Sequence, residues 1–378
     1  MYIYMEEDDS NRKLGLKHEK HFYSSGLVQD NQVKQQYLLI YKPTKKCFKQ
    51  KLPLLILIHG GGFDSGDPYK VEDIGKYYID RGFLVVSIGY RLVPDNSVVP
   101  KKWAEMSDKL HKQAPPGEEI RLSEFITAGV SKTAYAAVRD IKAAIRWLTK
   151  HKDTYNIDEK NVFMWGESAG ALIALTAHLA PKNSFFKDDD EIILKDTTLN
   201  TTNDTIKPFK IKSSMLLSTS DQILQRLSTI YVPDLWKNKK TYKNIMLIHG
   251  NRDILILEKF PRRLYERYNM HKMNDMIKYL NVPNEGHVPF KAVVNGMTLN
   301  EHMLDHMIKL IGIENIVCDE LKQIYNKKNT TIYKPPVRSK CPVCKECEEP
   351  IINHNYIIYA IIAIISLIIG IVIGKFVF

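Results

Sequence analysis

The chain has 378 residues, 44% hydrophobic and 26% charged, an ordinary globular balance that excludes wholesale disorder. Five cysteines are too few for a disulfide framework and suit a reducing compartment. A net charge of +11 admits nucleic acid or an anionic membrane as a partner, and its placement along the chain has to decide between them.

Residues 1–32 read as an N-terminal extension. It carries Glu6, Glu7, Asp8 and Asp9 in a row and lacks the basic start and apolar run of a secretory signal. From 33 to 315 short apolar runs alternate with stretches of helical period. The runs at 36–41, 54–59, 83–90, 161–166, 213–218, 244–249 and 276–280 read as strands. Those at 54–59 and 83–90 have the apolar, β-branched content of strands buried on both faces. Helical spacing covers 71–81, 135–151, 169–180, 258–270 and 299–311. This alternation predicts an α/β domain with a mostly parallel central sheet and helices on both faces. Ligands of such sheets bind at the carboxyl ends of the strands.

Two stretches interrupt the rhythm. Residues 93–131 carry Trp103, Met106, Leu110, Ile120, Leu122, Phe125 and Ile126 among many charges. They predict one or two amphipathic helices, either a cap over the site or a peripheral decoration. Residues 184–210 are polar, with Asp188, Asp189 and Asp190 together, and read as an exposed loop insertion.

The first motif is His59-Gly60-Gly61-Gly62-Phe63, directly after a strand. Successive glycines leave backbone N–H groups free to meet an oxyanion, and the P-loop spacing that would suggest phosphate is missing. Gly61 and Gly62 are the candidate donors here, and His59 reads as a structural anchor of its own loop. The second motif, Gly166-Glu167-Ser168-Ala169-Gly170, stands between a strand and an apolar helix. A serine hydroxyl is a poor nucleophile unless a sharp strand-to-helix turn presents it to a base, and that is what this pentapeptide encodes. The N–H of Ala169 would be the further oxyanion donor.

Asp253 follows the strand at 244–249, and His287 follows the strand at 276–280. An acid and an imidazole in that order behind Ser168 form the set a serine nucleophile needs. His287 would take the hydroxyl proton and Asp253 would fix its tautomer. Asp221, after the strand at 213–218, is the alternative acid.

The stretch 316–355 holds Lys322, Lys327, Lys328, Lys334, Arg338, Lys340 and Lys345, together with several prolines, and reads as a basic tether. Within it Cys341, Cys344 and Cys347 are candidates for S-acylation, for zinc binding or for ordinary thiols. Residues 356–374 are uncharged and almost wholly Ile, Leu, Val and Ala. At 1.5 Å per residue they span about 28 Å, close to the ~30 Å of a bilayer core. They read as a single-pass transmembrane anchor, and the basic flank predicts a body facing the cytoplasm. The positive charge concentrates beside this span and no nucleic-acid motif is present, so the membrane is the expected partner and nucleic acid is not.

Together, the HGGG and GESAG motifs and the order Ser168, Asp253, His287 resemble the α/β-hydrolase superfamily, in particular carboxylesterases and lipases of the hormone-sensitive-lipase-like type. Tyr90-Arg91-Leu92-Val93-Pro94-Asp95 and the helix around Arg139–Trp147 add to the similarity, which covers roughly 37–313. The resemblance implies cleavage of carboxylic esters, lipid esters included, by a Ser-His-Asp triad through an acyl-enzyme, with no cofactor and no metal. A peptidase or amidase on the same fold is the alternative, and a non-catalytic binding protein a more distant one.

Overall fold

A computed structural model describes residues 15–112, 128–180, 195–199, 208–224, 236–237 and 239–326. Strand β1 (Glu19–Leu27) pairs antiparallel with β2 (Val33–Tyr41), and β2 in turn pairs antiparallel with β4 (Leu84–Ile88). From β4 onward the sheet is parallel, through β3 (Leu52–Ile58), β5 (Ile157–Glu167), β6 (Ile211–Leu217), β7 (Ile245–Gly250) and β8 (Ile277–Val282). The order across the eight strands is β1-β2-β4-β3-β5-β6-β7-β8. Strands β9 (Val293–Val294) and β10 (Met297–Thr298) form a separate small hairpin.

The continuous apolar runs are explained by burial on both faces. Within β3, Leu54, Ile56 and Ile58 enter one core cluster while Leu55 and Leu57 enter the other, the period-2 alternation of a strand expressed entirely in apolar residues. The first face is covered by α2 (Lys101–Lys112), α3 (Ala128–Lys150), α4 (Ala169–Leu179) and α5 (Lys259–Met270). The second is covered by α1 (Glu72–Ile79), α6 (Leu299–Ile311) and α7 (Asp319–Asn326). Helix α6 starts sharply because Thr298 and Glu301 cap each other's backbone N–H groups.

Four expectations change. The segment 1–32 is not merely an extension, since its second half is strand β1, the outermost of the sheet. The tether begins later than residue 316, because α7 buries Leu321 and Ile324 against the body. Residues 195–199 are not an exposed loop. Asp196 and Thr198 are fully buried, and Asp196 accepts from Arg91 at 2.8 Å and from Arg139 at 3.3 Å. Arg91 also binds Asp140 at 2.7 Å. Buried charges of this kind persist only when paired, and here the pairing ties the insertion to α3 and to the end of β1. Finally, the sparse cysteines are not all thiols, because Cys47 and Cys318 form a disulfide across 271 residues of chain.

Residues 356–374, Cys341, Cys344 and Cys347 lie outside the described residues, as do Asn200, Asn203 and Asn329, each of which begins an Asn-x-Thr sequon, the acceptor pattern for N-glycosylation. Among the described residues no helix is long and apolar enough to cross a membrane, and no cluster of three or more His, Cys, Asp or Glu could hold a metal.

Candidate active site

Ser168 stands between the end of β5 and the first residue of α4, with φ 49° and ψ −122°. A non-glycine residue rarely takes a positive φ, and the strain lifts its hydroxyl clear of the sheet. The neighbouring glycines let the turn pass its surroundings. A Cβ on Gly170 would lie 2.1 Å from the carbonyl oxygen of Ile58, and one on Gly166 2.4 Å from that of Gly170. The N–H of Ser168 donates to Leu217 at 2.9 Å, which fixes the elbow to β6.

His287 lies between the other two predicted residues. Its Nε2 is 2.9 Å from Ser168 Oγ and its Nδ1 is 2.8 Å from Asp253 Oδ2. The remaining oxygen of Asp253 accepts the N–H groups of Leu255 and Ile256, both at 2.9 Å. Burial pushes this carboxyl upward, but the bonds from His287 and the backbone outweigh it and hold it below the usual carboxylate range. Asp253 is therefore ionised and faces the Nδ1 of an imidazole whose other nitrogen meets a hydroxyl. Asp221, the alternative acid, is buried and paired with Arg263 instead.

The loops carrying Asp253 and His287 are sewn to each other. Arg252 N–H donates to Glu285, Asn251 N–H to Val282, and Asn284 N–H to the side chain of Asn251. Gly250 makes this possible, because a Cβ there would meet the carbonyl of Gly286 at 2.2 Å.

On the other side of Ser168 the glycine loop turns back on itself, with the Gly61 carbonyl accepting from Asp64 and Ser65. Gly62 and Ala169 line the same cavity as Ser168 and His287, whereas Gly61 does not. Ala169 opens α4, so its N–H is one of the donors a helix leaves without an internal partner. His59 is held as an anchor. Its Nδ1 donates to Gly60 at 2.8 Å, its ring stacks on Tyr90 at 4.3 Å, and burial lowers its pKa to about 4. Tyr90, from the stretch at 90–95, also donates its hydroxyl to the His59 carbonyl at 2.8 Å.

The cavity presents Phe63, Leu172, Leu255 and Ile256 beside the serine. That apolar lining suits an organic substrate rather than an ion. A second, smaller cavity shares Phe63 and Leu172 and extends to Trp103 on α2 and Ala134 on α3. Trp103 is fixed by its indole N–H, which donates to Ser131 at 3.0 Å. The described part of the 93–131 insertion thus forms a wall beside the site.

Sequence reasoning passed over Glu167 and Ser218. Glu167 lay inside the quoted pentapeptide, and only its polarity among small residues marked it. Ser218 had no local signal beyond its place at a strand end.

A family profile described as BD-FAE matches residues 38–109 and 124–213. Gut esterase 1 of Caenorhabditis briggsae is 26% identical over 147 residues, which cover 38% of this chain and 21% of that protein. A carboxylic ester hydrolase of Bombus ignitus is 24% identical over 136 residues, covering 36% and 19% respectively. The chain therefore spans about a fifth of the length of the curated relatives it matches. Among solved structures, esterase 2 of Thermogutta terrifontis superimposes with a TM-score of 0.50 at 18% identity, over 78% of this chain and 92% of that one. The same esterase phosphorylated by paraoxon gives 0.51 at 18% identity, over 78% and 94%. These likenesses establish the α/β-hydrolase fold.

Proposed function

We propose that this member of the α/β-hydrolase superfamily is a serine hydrolase that cleaves carboxylic esters through an acyl-enzyme. The observation that carries the reading is the unbroken chain from Asp253 through His287 to Ser168, at 2.8 and 2.9 Å, opening on an apolar cavity. Ser168 Oγ attacks the ester carbonyl carbon while His287 Nε2 takes the hydroxyl proton. The imidazolium is stabilised by ionised Asp253. The N–H groups of Gly62 and Ala169 meet the negative charge that develops on the carbonyl oxygen. Collapse of the tetrahedral species breaks the bond to the alcohol oxygen, which leaves with the proton from Nε2. Water, deprotonated by the same nitrogen, then releases the acid and restores Ser168.

Fluorophosphonate labelling and turnover of p-nitrophenyl esters test this together. The expected result is one covalent adduct on Ser168, lost together with ester turnover in Ser168→Ala. A folded protein that takes no label and turns over no ester would overturn the reading. Turnover of amides at rates matching esters would transfer it to the amidase alternative.

We further propose that residues 356–374 anchor the protein in a membrane, which would bring lipid esters within reach as substrates. The length and apolarity of that run support this. The basic flank supports a body on the cytoplasmic side. A second reading places the body in an oxidising compartment, and the Cys47–Cys318 disulfide favours it.

A further inference from the structure

We infer that Ser218 is a positioning residue that holds the His287 loop in its working conformation. The residue after the imidazole, Val288, has φ 51°. The left-handed region is unfavourable for any side chain and most of all for a β-branched one, so something must hold it there. The hydroxyl of Ser218 accepts the Val288 N–H at 3.0 Å. Ser218 is itself completely buried and lies at φ 52°, just beyond the end of β6. Its own N–H donates to the carbonyl of Ile248 in β7 at 2.9 Å. Strand β7 leads directly to Asp253, so one buried serine links the acid-bearing strand to the residue that follows the imidazole. On its far side Val288 accepts from Phe290 N–H at 2.8 Å, which closes the local turn.

Two strained residues joined by one hydrogen bond form a clamp. When it is released, Val288 relaxes toward a negative φ, and the peptide bond that carries His287 turns with it. The imidazole would then leave the 2.9 Å contact with Ser168 without loss of the substrate cavity, whose lining does not include Ser218. The effect falls on the chemical step rather than on binding.

The inference rests on His287 as the base, and the experiment separates the two. Ser218→Ala should lower kcat by about 10- to 100-fold, the scale expected for a misplaced catalytic group, with KM within twofold. The rate of fluorophosphonate labelling should fall in parallel. Glycine accepts a positive φ without strain, so Ser218→Ala with Val288→Gly should recover much of the lost kcat. Were Ser218→Ala too unstable to assay, Ser218→Cys carries the same comparison, because a thiol is a weak acceptor of similar shape. A folded Ser218→Ala with kcat and labelling rate unchanged, while His287→Ala is dead, overturns the clamp alone. An active His287→Ala overturns the reading beneath it.

Discussion

The carboxylate of Glu167, one residue before the serine, accepts the N–H of Gly60 at 3.2 Å. The elbow and the glycine loop are thus joined by a side chain that touches neither the hydroxyl nor the imidazole. Burial raises the pKa of this carboxyl, against the pull of the Gly60 N–H. Glu167→Gln keeps an acceptor at the same place and should retain most activity. Glu167→Ala frees the loop and should cost about tenfold or more in kcat, as removal of oxyanion-site order does. Steady-state kinetics on one short ester checks the pair.

Asp253 and Asp221 separate sharply as candidate acids. Asp253→Asn removes the ionised partner of Nδ1 and favours the wrong imidazole tautomer, so kcat should drop by roughly 10³–10⁴. Asp221→Asn weakens the pair with Arg263 and should act on thermal stability, with kcat within about threefold of the parent. A reversal of that ranking in kcat would remove Asp253 from its role.

Leu172 is buried and forms part of the wall between the catalytic cavity and the second cavity bounded by Trp103. Leu172→Ala should join the two and shift preference across a p-nitrophenyl ester series toward longer acyl chains. It should also cost roughly 2–5 kcal/mol of stability as a large-to-small core change. An unchanged chain-length profile in a folded variant would show that the second cavity takes no part in substrate binding.

Acid should weaken the fold through its buried imidazoles. Burial lowers His59 to about 4 and His178 and His306 to about 3, from an ordinary value of 6.5. Between 6.5 and those values the unfolded chain binds protons that the native chain excludes. Stability is therefore complete above pH 6.5 and is lost as pH falls toward 4 and then 3. Urea midpoints at pH 7.5, 6, 5 and 4 should decline in that order. His178→Gln and His306→Gln, if they fold, should flatten the decline, and a midpoint that holds constant to pH 4 would refute the account.

The two proposed placements of the body are told apart by two chemical states of the expressed protein. A cytoplasmic body should carry free thiols at Cys47 and Cys318 and no glycan at Asn200, Asn203 or Asn329. A body in an oxidising compartment should resist thiol alkylation under denaturing conditions until it is reduced, and should shift on endoglycosidase treatment if any sequon is accessible. Both readouts come from the same cell lysate, and free thiols without a shift would exclude the second reading.

Much of the fold was legible because burial on both sheet faces writes itself as uninterrupted apolar sequence. Strands β2 to β8 and helices α1 and α3 to α6 all appear in that pattern. Strand β1 does not, since an outermost strand half open to water carries His21, Lys20 and Ser24 beside Phe22 and Tyr23. The serine, the acid and the imidazole were legible because each sits at a strand end, where chemistry rather than packing selects the residue. What escaped depends on partners far away in the chain. Asp196 looks like any surface acid until Arg91 and Arg139 enclose it. Ser218 acquires meaning only from the backbone angle of a residue 70 positions later, and Cys47 only from Cys318.

That last pairing also sets how the protein would bear a mechanical load. Helix α6 follows the His287 loop by way of the β9–β10 hairpin, so tension applied from the C-terminal end would, in an uncrosslinked chain, peel α6 away and drag the imidazole after it. The disulfide intercepts the pull at Cys318 and passes it to Cys47, just beyond the end of β2. The adjacent bridge between Phe48 and Ile316 lies inside the same closed ring. Among the described residues, α7 alone stands outside that ring on the C-terminal side, so it would be the first of them to unwind. Stretching the oxidised protein by its C-terminus against an N-terminal hold should release only the segments outside the ring, whereas the reduced protein should extend through α6 and lose activity as it does.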